Sequence, residues 1–474
     1  MKRIVFLIIA SLLVVGLVLS GCNGDGDGNG EEPAFDEYIK FAIVGPTDYI
    51  QGEHMMWGAE VARDEINDAG GIDVDGDAYG VELIEVDSDE IDNPAEAGDK
   101  VRHAITVLGA DFVIGGFRTE AVWDMIEAAV ESEKIMFIQS AATTDLIEDT
   151  VVADYDTYKY IFRSGVPNDN FLVNNCIGML AMVGSVIEAE LEAAEAAVTK
   201  PRVAIFAEEL SWADNPVALF QYVVVPTLGW THTYTARVPD DASAEVVATH
   251  LAAIEEAETH IIFTIVSGPV GLTYGTQMGV LGVPAMSVGI NVEAQDPGYW
   301  SNTNGGGAYH ITLGFLAPNI RQTAVTGPFI TAFEAHTGGE FPIYTAASYD
   351  TIYGLKKAIE AVGSYTDTDD LIEWFEDPAN ARTVTVGTAD FYPEGLESPY
   401  NRHDLYYSCD RVSGIGVQWL DGDIVGVWPK AEYGQLFNSN VYYGPTCWAG
   451  FEFDGTENFD FPADWLTEWE GYVG

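Results

Sequence analysis

Apolar residues recur along this chain in two alternating periods. Short apolar runs predict buried strands at 38–44, 81–86, 112–114 and 135–138. Between them, apolar residues stand three or four positions apart, as on the helical face formed by Ala59, Ala62 and Ile66, which ends at Gly70. This alternation of strand and helix predicts an open parallel sheet with helices on both faces.

The same rhythm restarts after residue 165. Strands are predicted at 203–206, 230–234, 261–266 and 285–288. Helices are predicted at about 171–198 and 242–257, with another beginning at Asn215, whose side chain would cap the helix before Pro216. Two similar units in succession predict an α/β protein with two lobes.

The net charge of the chain is unusual, although its hydrophobicity is ordinary. Of its 474 residues 47% are hydrophobic, and the mean hydropathy is +0.06, which is typical of a globular protein with a buried core. However, 75 acidic residues against 20 basic ones give a formal net charge of −55. This surface repels nucleic acids, so nucleic-acid binding is excluded as a function. Such a charge either serves solubility alone or indicates a halophilic acidic surface adapted to high salt.

The N-terminus has the pattern of a signal peptide. A basic start at 1–3 is followed by an apolar run at 4–19. The run closes on Leu-Ser-Gly-Cys22, which resembles a bacterial or archaeal lipobox. The resemblance implies a signal peptide at 1–21, lipid on Cys22, and a flexible acidic Gly-rich linker over 22–37. The body would then lie outside the cytoplasm, anchored to the outer face of the cell membrane. The alternative is an uncleaved membrane anchor.

The remaining cysteines and histidines do not point to catalysis. An oxidising exterior favours a Cys409–Cys447 disulfide, with Cys176 as a buried helix residue. The eight histidines are scattered without metal-ligand spacing. Nucleophile-elbow, zinc-protease and phosphate-loop motifs are absent from the sequence. We therefore expect no metal, no cofactor and no enzymatic activity.

Seven stretches, in order, resemble the type I periplasmic binding proteins, specifically the leucine/isoleucine/valine-binding branch that serves ABC importers. They are "VGPTDYIQGEHMMWGAEVARDEINDAGG", "FVIGGFRTEAV", "IMFIQSAATTDL", "YIFRSGVPND", "TYTARVPDDASAEVVATHLAAIEEAETHIIFTIVSG", "YTAASYDTIYGLKKAIEAVGS" and "GVQWLDGD". The resemblance implies two doubly wound parallel-sheet lobes joined by a three-crossover hinge, closing on a small molecule. Lobe 1 would comprise 38–165 and 311–398, and lobe 2 would comprise 166–310 and 399–474.

The resemblance also implies a ligand site at the carboxyl ends of the strands, where helix N-termini and hydroxyls can hold a carboxylate. The candidate ligand-binding residues from the first half of the chain are Tyr49, Gln51, Phe117, Arg118, Thr119, Ala142 and Thr143. The second lobe would add Trp212, which would close over the ligand, together with Ser267 and Asn291. The alternatives are a surface salt bridge for Arg118 and core packing for Trp212.

One departure from the family pattern bears on the ligand. Asn291 stands where the amino-acid binders carry an acidic residue that pairs with the ligand ammonium. Arg118 adds a cation beside the expected carboxylate. Both differences favour a small carboxylate, whereas Glu120 or Glu293 would supply the missing charge for an amino acid.

The sequence therefore predicts a lipid-anchored solute-binding protein that delivers an amino acid or small carboxylate to ABC permease subunits. One alternative is a sensory or regulatory lipoprotein of the same fold. The other is a structural surface lipoprotein.

Overall fold

The structure, a computed structural model, describes residues 35–408, 411–429, 452–453 and 459–473. Its strands are β1 (Tyr38–Gly45), β2 (Ile72–Val74), β3 (Asp77–Asp87), β4 (Phe112–Gly115), β5 (Met136–Ile138), β6 (Ile161–Arg163), β7 (Arg202–Glu208), β8 (Thr231–Val238), β9 (Ile261–Val266), β10 (Met286–Asn291), β11 (Ile311–Gly314), β12 (Ile320–Arg321), β13 (Arg382–Val384), β14 (Gly387–Ala389), β15 (Ile415–Leu420), β16 (Asp423–Trp428) and β17 (Glu452–Phe453). Its α-helices are α1 (Ile50–Asp68), α2 (Ala97–His103), α3 (Thr119–Glu131), α4 (Asp145–Ile147), α5 (Tyr155–Tyr158), α6 (Asp169–Ala193), α7 (Asp214–Leu219), α8 (Val225–Leu228), α9 (Ala244–Glu256), α10 (Val270–Leu281), α11 (Tyr299–Asn302), α12 (Thr326–Thr337), α13 (Ser348–Val362), α14 (Thr368–Glu376) and α15 (Ala463–Trp469).

The strands form two large sheets, as expected. The first has the order β2-β3-β1-β4-β5-β6, and all its pairs are parallel except the hairpin of β2 with β3. The second has the order β16-β15-β11-β10-β9-β7-β8; its pairs are parallel from β11 through β8, and β15 and β16 are antiparallel. This architecture confirms the α/β fold with two doubly wound, mainly parallel sheets.

Alternate residues of the strands pack on opposite faces of each sheet. In β1, Phe41 and Ile43 belong to a core shared by both lobes, whereas Ala42 and Val44 belong to a core on the other face of the first sheet. A third core lies on the outer face of the second sheet. Both faces are covered, which explains why the strands read as nearly continuous apolar runs.

The chain crosses between the sheets three times, although not all at the expected positions. It first crosses after β6, between residues 163 and 169. The return comes after β11, because 311–314 pairs with β10 and β15 in the second sheet instead of beginning lobe 1. The last crossing follows residue 405: the His403 carbonyl accepts from the Arg163 N–H of β6 at 3.0 Å, so this segment still packs on lobe 1. The expected boundaries at 311 and 399 are therefore corrected by several residues.

Helix α7 begins earlier than the sequence suggests. The predicted cap Asn215 lies inside helix α7, because a 3₁₀ turn at Ser211–Ala213 leads the chain into the helix earlier. Helix α6 has the length and hydropathy of a membrane span, with 67% of its apolar window buried within the protein. It packs against β10 and carries Cys176, which is fully buried as predicted. Cys22, Cys409 and Cys447, with the signal peptide and most of the linker, lie outside the described residues.

Candidate functional site

A pocket of about 570 Å³, counted out to its mouth, lies where the carboxyl ends of the two sheets face each other. The first lobe lines it with Phe117, Arg118, Thr119, Glu120, Ser140 and Ala142. The second lobe adds Leu210, Trp212, Ser267, Ile290, Val292 and Gln295. Residues Val166, Phe315 and Tyr344, in or next to the crossovers, also line it. Six of the ten candidate residues therefore line one pocket, namely Phe117, Arg118, Thr119, Ala142, Trp212 and Ser267.

The wall of the pocket is mainly apolar and carries aromatic rings from both lobes. Phe117, Trp212, Phe315 and Tyr344 surround it together with aliphatic side chains. Burial raises the pKa of the Tyr344 phenol, so this side chain remains neutral. A pocket of this kind buries the apolar body of a small ligand and orients it through a few polar groups.

The loop after β4 is held by a buried carboxylate that sequence reasoning missed. Glu90 Oε2 accepts the N–H groups of Phe117 and Arg118 at 2.9 and 2.6 Å, and its Oε1 accepts the Ser88 hydroxyl at 2.8 Å. Burial raises the pKa of Glu90, whereas these donors lower it. These two amides of the loop therefore already have an internal anion as their acceptor.

Glu208, at the end of β7, has the same role in the second lobe. Its carboxylate accepts from the Ser267 N–H at 2.8 Å, the Ser267 hydroxyl at 2.5 Å and the Gly268 N–H at 3.0 Å. The Trp212 indole N–H also donates to it, at 2.5 Å. Burial raises the pKa of Glu208, whereas these hydrogen bonds lower it. Ser267 and Trp212 therefore line the pocket with their polar groups already bonded.

Two backbone donors of the loop after β5 are free within the described residues. Neither the Ala142 nor the Thr143 N–H donates to any group in the described part of the chain. The carbonyls of Ala141 and Thr143 accept from Arg163, whose Nη2 lies 2.7 Å from the Thr143 oxygen. Arg163 and Asp404 form an ion pair of 2.6 Å in which both side chains are 0% exposed. This buried clamp fixes the loop by its carbonyls, while the amides of Ala142 and Thr143 stay unbonded.

Hydroxyl groups complete this polar end of the pocket. Thr119 and Thr143 share a hydrogen bond of 2.6 Å between their hydroxyl oxygens. Thr143 stands behind the pocket wall, so it acts on the wall through Thr119. The Ser140 hydroxyl is buried without a well-formed hydrogen bond, although it is near enough to Tyr344 to lower that phenol's pKa.

Several contacts join the lobes around the pocket. Arg118 forms an ion pair with Asp240 of the second lobe, and its buried Nε makes no hydrogen bond in the described residues. Glu120 accepts from the Ser211 hydroxyl and N–H at 2.8 and 3.1 Å. The structure therefore has its lobes closed. The Arg118 salt bridge is mostly buried and links the lobes, and Arg118 also lines the pocket.

Gln51 makes another inter-lobe contact. Its amide nitrogen donates to the Ser267 carbonyl and to Glu293, both at 3.3 Å, while its oxygen is buried without a partner. Burial raises the pKa of Glu293 to about 7, with Asp296 adding to the rise and Gln51 opposing it. Gln51 therefore lies between the lobes beside the pocket instead of in its wall.

Asn291 and Tyr49 do not reach the pocket. The Asn291 amide donates to Tyr299 at 3.1 Å and to the Gly271 carbonyl at 3.3 Å, inside the second lobe. Its neighbours Ile290 and Val292 line the pocket in its place, because strand residues alternate in direction. Tyr49 precedes α1 outside the wall, and burial raises its pKa. No group of three metal-ligating side chains is assembled in the residues that the structure describes.

Two parallel α/β lobes that close over one pocket at their strand ends define a two-lobed binding protein. The chain belongs to the periplasmic binding protein family, whose model matches residues 42–395. This confirms the family expected from the sequence. Proteins of this family are transport solute-binding proteins that typically work outside the cytoplasm.

Solved structures with the same fold support this assignment. A leucine-binding protein from Thermotoga maritima is 17% identical, with a TM-score of 0.62, over 82% of this chain and 98% of that one. A branched-chain amino acid binding protein from Streptococcus pneumoniae, in complex with isoleucine, is 16% identical with a TM-score of 0.63, over 83% and 100%. An ABC transporter solute-binding protein from Rhodopseudomonas palustris, in complex with 3,4-dihydroxybenzoic acid, is 16% identical with a TM-score of 0.60, over 82% and 95%. A search among curated proteins finds no sequence match to this chain.

Proposed function

We propose that this protein is an extracytoplasmic solute receptor that closes on a small ligand and delivers it to the permease of an ABC importer. The observation that carries the proposal is the pocket whose wall comes from both lobes and whose rim is joined by Arg118–Asp240 and Glu120–Ser211. A ligand that contacts both lobes stabilises the closed form over the open one, and a permease can distinguish the two. The lipid on Cys22 would keep the receptor at the membrane.

We propose a small apolar carboxylate as the ligand. Its carboxylate would accept from the free Ala142 amide and from the Thr119 and Ser140 hydroxyls, and Arg118 lines the same pocket. Its apolar body would lie among the aromatic rings. Several donors together compensate a desolvated carboxylate. An amino acid would also need an anion for its ammonium, and Glu120 is the one carboxylate among the lining residues.

The alternatives are less well supported by the same geometry. A purely structural lipoprotein has no need of a pocket with unpaired amides, and failure to bind any small solute would favour it. A sensory receptor of this fold would bind a solute equally well. Loss of solute uptake on deletion of the gene distinguishes the transport receptor from it. Enzymatic activity is not proposed, because the polar groups in the wall lack an activated nucleophile or an acid–base pair in contact.

The test is a thermal-shift screen of amino acids and small aliphatic and aromatic carboxylates in molar salt, followed by calorimetry on the best ligand. We expect Trp212→Ala to weaken binding about 30-fold through lost ring contact. Thr119→Ala should weaken it about fivefold to tenfold through a lost hydrogen bond. Matched controls are Tyr222→Ala, an aromatic residue that is 72% exposed, and Thr106→Ala on the exposed face after α2. If both site variants bind like the parent, the site is assigned wrongly.

A further inference from the structure

A second cavity of about 320 Å³, counted out to its mouth, lies within the first lobe behind the ligand pocket. Two segments separate this cavity from the ligand pocket, namely the first crossover and the chain that leads into α13. Ser164 and Gly165 line the second cavity and Val166 lines the pocket; Ala347 lines the cavity and Tyr344 the pocket. An occupant of the second cavity would therefore contact the segments on which the lobes turn.

A buried cation lines this cavity. Arg382, in β13, is 7% exposed, and its guanidinium packs against the rings of Phe375 and Phe391 at 5.4 and 5.6 Å. It lies over α13 at Gly354, where a Cβ atom would stand only 2.7 Å from Arg382 Nε. Burial lowers the pKa of Arg382 to about 10, so the group stays protonated at neutral pH. The missing side chain at Gly354 makes room for this charge.

The guanidinium of Arg382 makes no hydrogen bond to any group in the part of the chain that the structure describes. Within the described residues no carboxylate lies within ion-pair distance of Arg382, and its buried Nε has no partner. Asp350 and Asp390 stabilise its charge only from farther away. The Asp350 oxygens accept instead from the Thr385 N–H, at 3.0 and 3.1 Å, and from the Thr385 hydroxyl. A buried arginine without a hydrogen-bond acceptor costs folding free energy unless some other group accepts from it.

A second donor without a partner adjoins the same cavity. Gln139 is fully buried; its oxygen accepts from Ser164 and Thr351, at 3.1 and 3.2 Å, while its amide nitrogen has no partner. This nitrogen would lie 2.6 Å from a Cβ atom on Gly165, which lines the cavity. Arg382 and Asp350 both line the cavity, and the Asp350 carboxylate accepts from Thr385 instead of from Arg382, so the donors of Arg382 and Gln139 remain without an acceptor.

We propose that this cavity is a binding site for a small monovalent anion of halide size, held by the guanidinium of Arg382 and the amide of Gln139. A single cation, partly balanced by Asp350, favours one negative charge over two. A halide accepts hydrogen bonds from every direction and so matches donors on separate elements. The site is distinct from the ligand pocket and would tie β13 to the crossover.

The direct test is a crystal of the full-length protein soaked in sodium bromide, with data collected at the bromine absorption edge. We expect an anomalous peak in hydrogen-bonding contact with the guanidinium of Arg382. A cavity that holds only water, with no anomalous peak there, overturns the proposal. Because this experiment uses the parent protein, it stands even if an Arg382 variant fails to fold.

The solution test compares melting temperatures in sodium chloride and sodium gluconate at equal sodium concentration, since gluconate is far larger than the halide-sized anion proposed beside Arg382. Chloride binding should raise the melting temperature of the parent above its value in gluconate. This rise should be about 2 °C or more larger in the parent than in Arg382→Met. Arg102→Met, at an exposed surface arginine, is the matched control and should respond like the parent. Asp350→Asn should enlarge the chloride response, because it removes a nearby negative charge. Equal chloride responses in the parent and in Arg382→Met contradict the proposal.

Discussion

At the scale of single residues, buried charged side chains hold the loops that form the pocket in place. Glu90 and Glu208 each hold two consecutive amides of a strand-end loop, one in each lobe. Arg163 holds the carbonyls of a third loop. Buried ionic groups with several hydrogen bonds are rigid, so the pocket wall is pre-organised before a ligand enters.

Arg163 gives the sharpest residue-scale prediction. Arg163→Met leaves the buried Asp404 carboxylate without its ion pair, so the free energy of unfolding should fall by about 3–5 kcal/mol. The loop that carries Ala142 and Thr143 should also loosen, and the affinity for the solute should fall. Denaturant unfolding and calorimetry measure the two effects.

The control for this prediction is Arg102→Met, which removes an exposed arginine that pairs with Asp99 and Glu131. It should leave both unfolding and binding nearly unchanged. Equal stability of the two variants would mean that the Arg163–Asp404 pair does not support the fold.

At the scale of elements, the loop between β4 and α3 depends on glycine. Gly116 has a φ of +88°, and a Cβ atom there would lie 2.5 Å from Val122 Cγ2. The sharp turn allows the chain to leave the sheet and begin α3 with Phe117 and Thr119 at the pocket. The two glycines thus allow the loop to turn sharply, and the amides that follow donate to Glu90.

Gly116→Ala tests this use of the turn. Left-handed backbone costs about 1–2 kcal/mol for a residue with a side chain, and the contact with Val122 adds to it. The matched control is Gly76→Ala, because Gly76 has a φ of +97° with no atom within 4 Å of an added Cβ. Unfolding measurements should show a larger loss for Gly116→Ala, and calorimetry should show weaker solute binding for that variant alone. The same loss of stability in both variants would show that the contact with α3 is unimportant.

The elements could be predicted from the sequence far better than the contacts among them. Apolar periodicity is local, so most helices and strands stand within a few residues of the predicted positions. Ion pairs such as Arg163–Asp404 join residues 241 positions apart, and no periodicity reveals them. Asn291 shows the same limit for the site. The family resemblance singled out its position in the chain, but strand alternation directs its side chain away from the pocket. Glu90 and Glu208 left only a weak signal, a carboxylate at or just after a strand end.

At the scale of the whole molecule, closure brings a titratable group between the lobes. Glu293 contacts Gln51 of the other lobe, and its pKa in the folded protein is about 7. Because this pKa lies above the ordinary glutamate value, the folded state binds more protons than the unfolded state between those two pH values. Stability should therefore fall as pH rises from about 4.5 to about 7.

Glu293→Gln should remove this dependence. The parent should lose about 3 kcal/mol across that pH range through Glu293, and the variant should be the more stable of the two at pH 8. Denaturant unfolding at both ends of the range measures the difference. Glu334→Gln, at an exposed site on α12, is the control and should follow the parent. A variant that follows the parent at both pH values would exclude Glu293 as the titrating group.

The net charge of −55 also acts on the molecule as a whole. Repulsion among exposed carboxylates opposes the compact state, and salt weakens it as the screening length shortens. We expect the melting temperature to rise steadily from low to molar sodium gluconate, an anion chosen to separate screening from chloride binding. A melting temperature that does not depend on salt would argue against a high-salt habitat.

The central claim is that the two lobes enclose one small carboxylate at the pocket between the strand ends. The most direct measurement is the crystal structure of the protein with the tightest-binding solute from the screen. We expect one molecule per chain, with its carboxylate at the Ala142 amide and the Thr119 hydroxyl and its apolar part against the ring of Trp212. A solute bound outside this pocket, or a pocket left open with the solute on one lobe only, would contradict it.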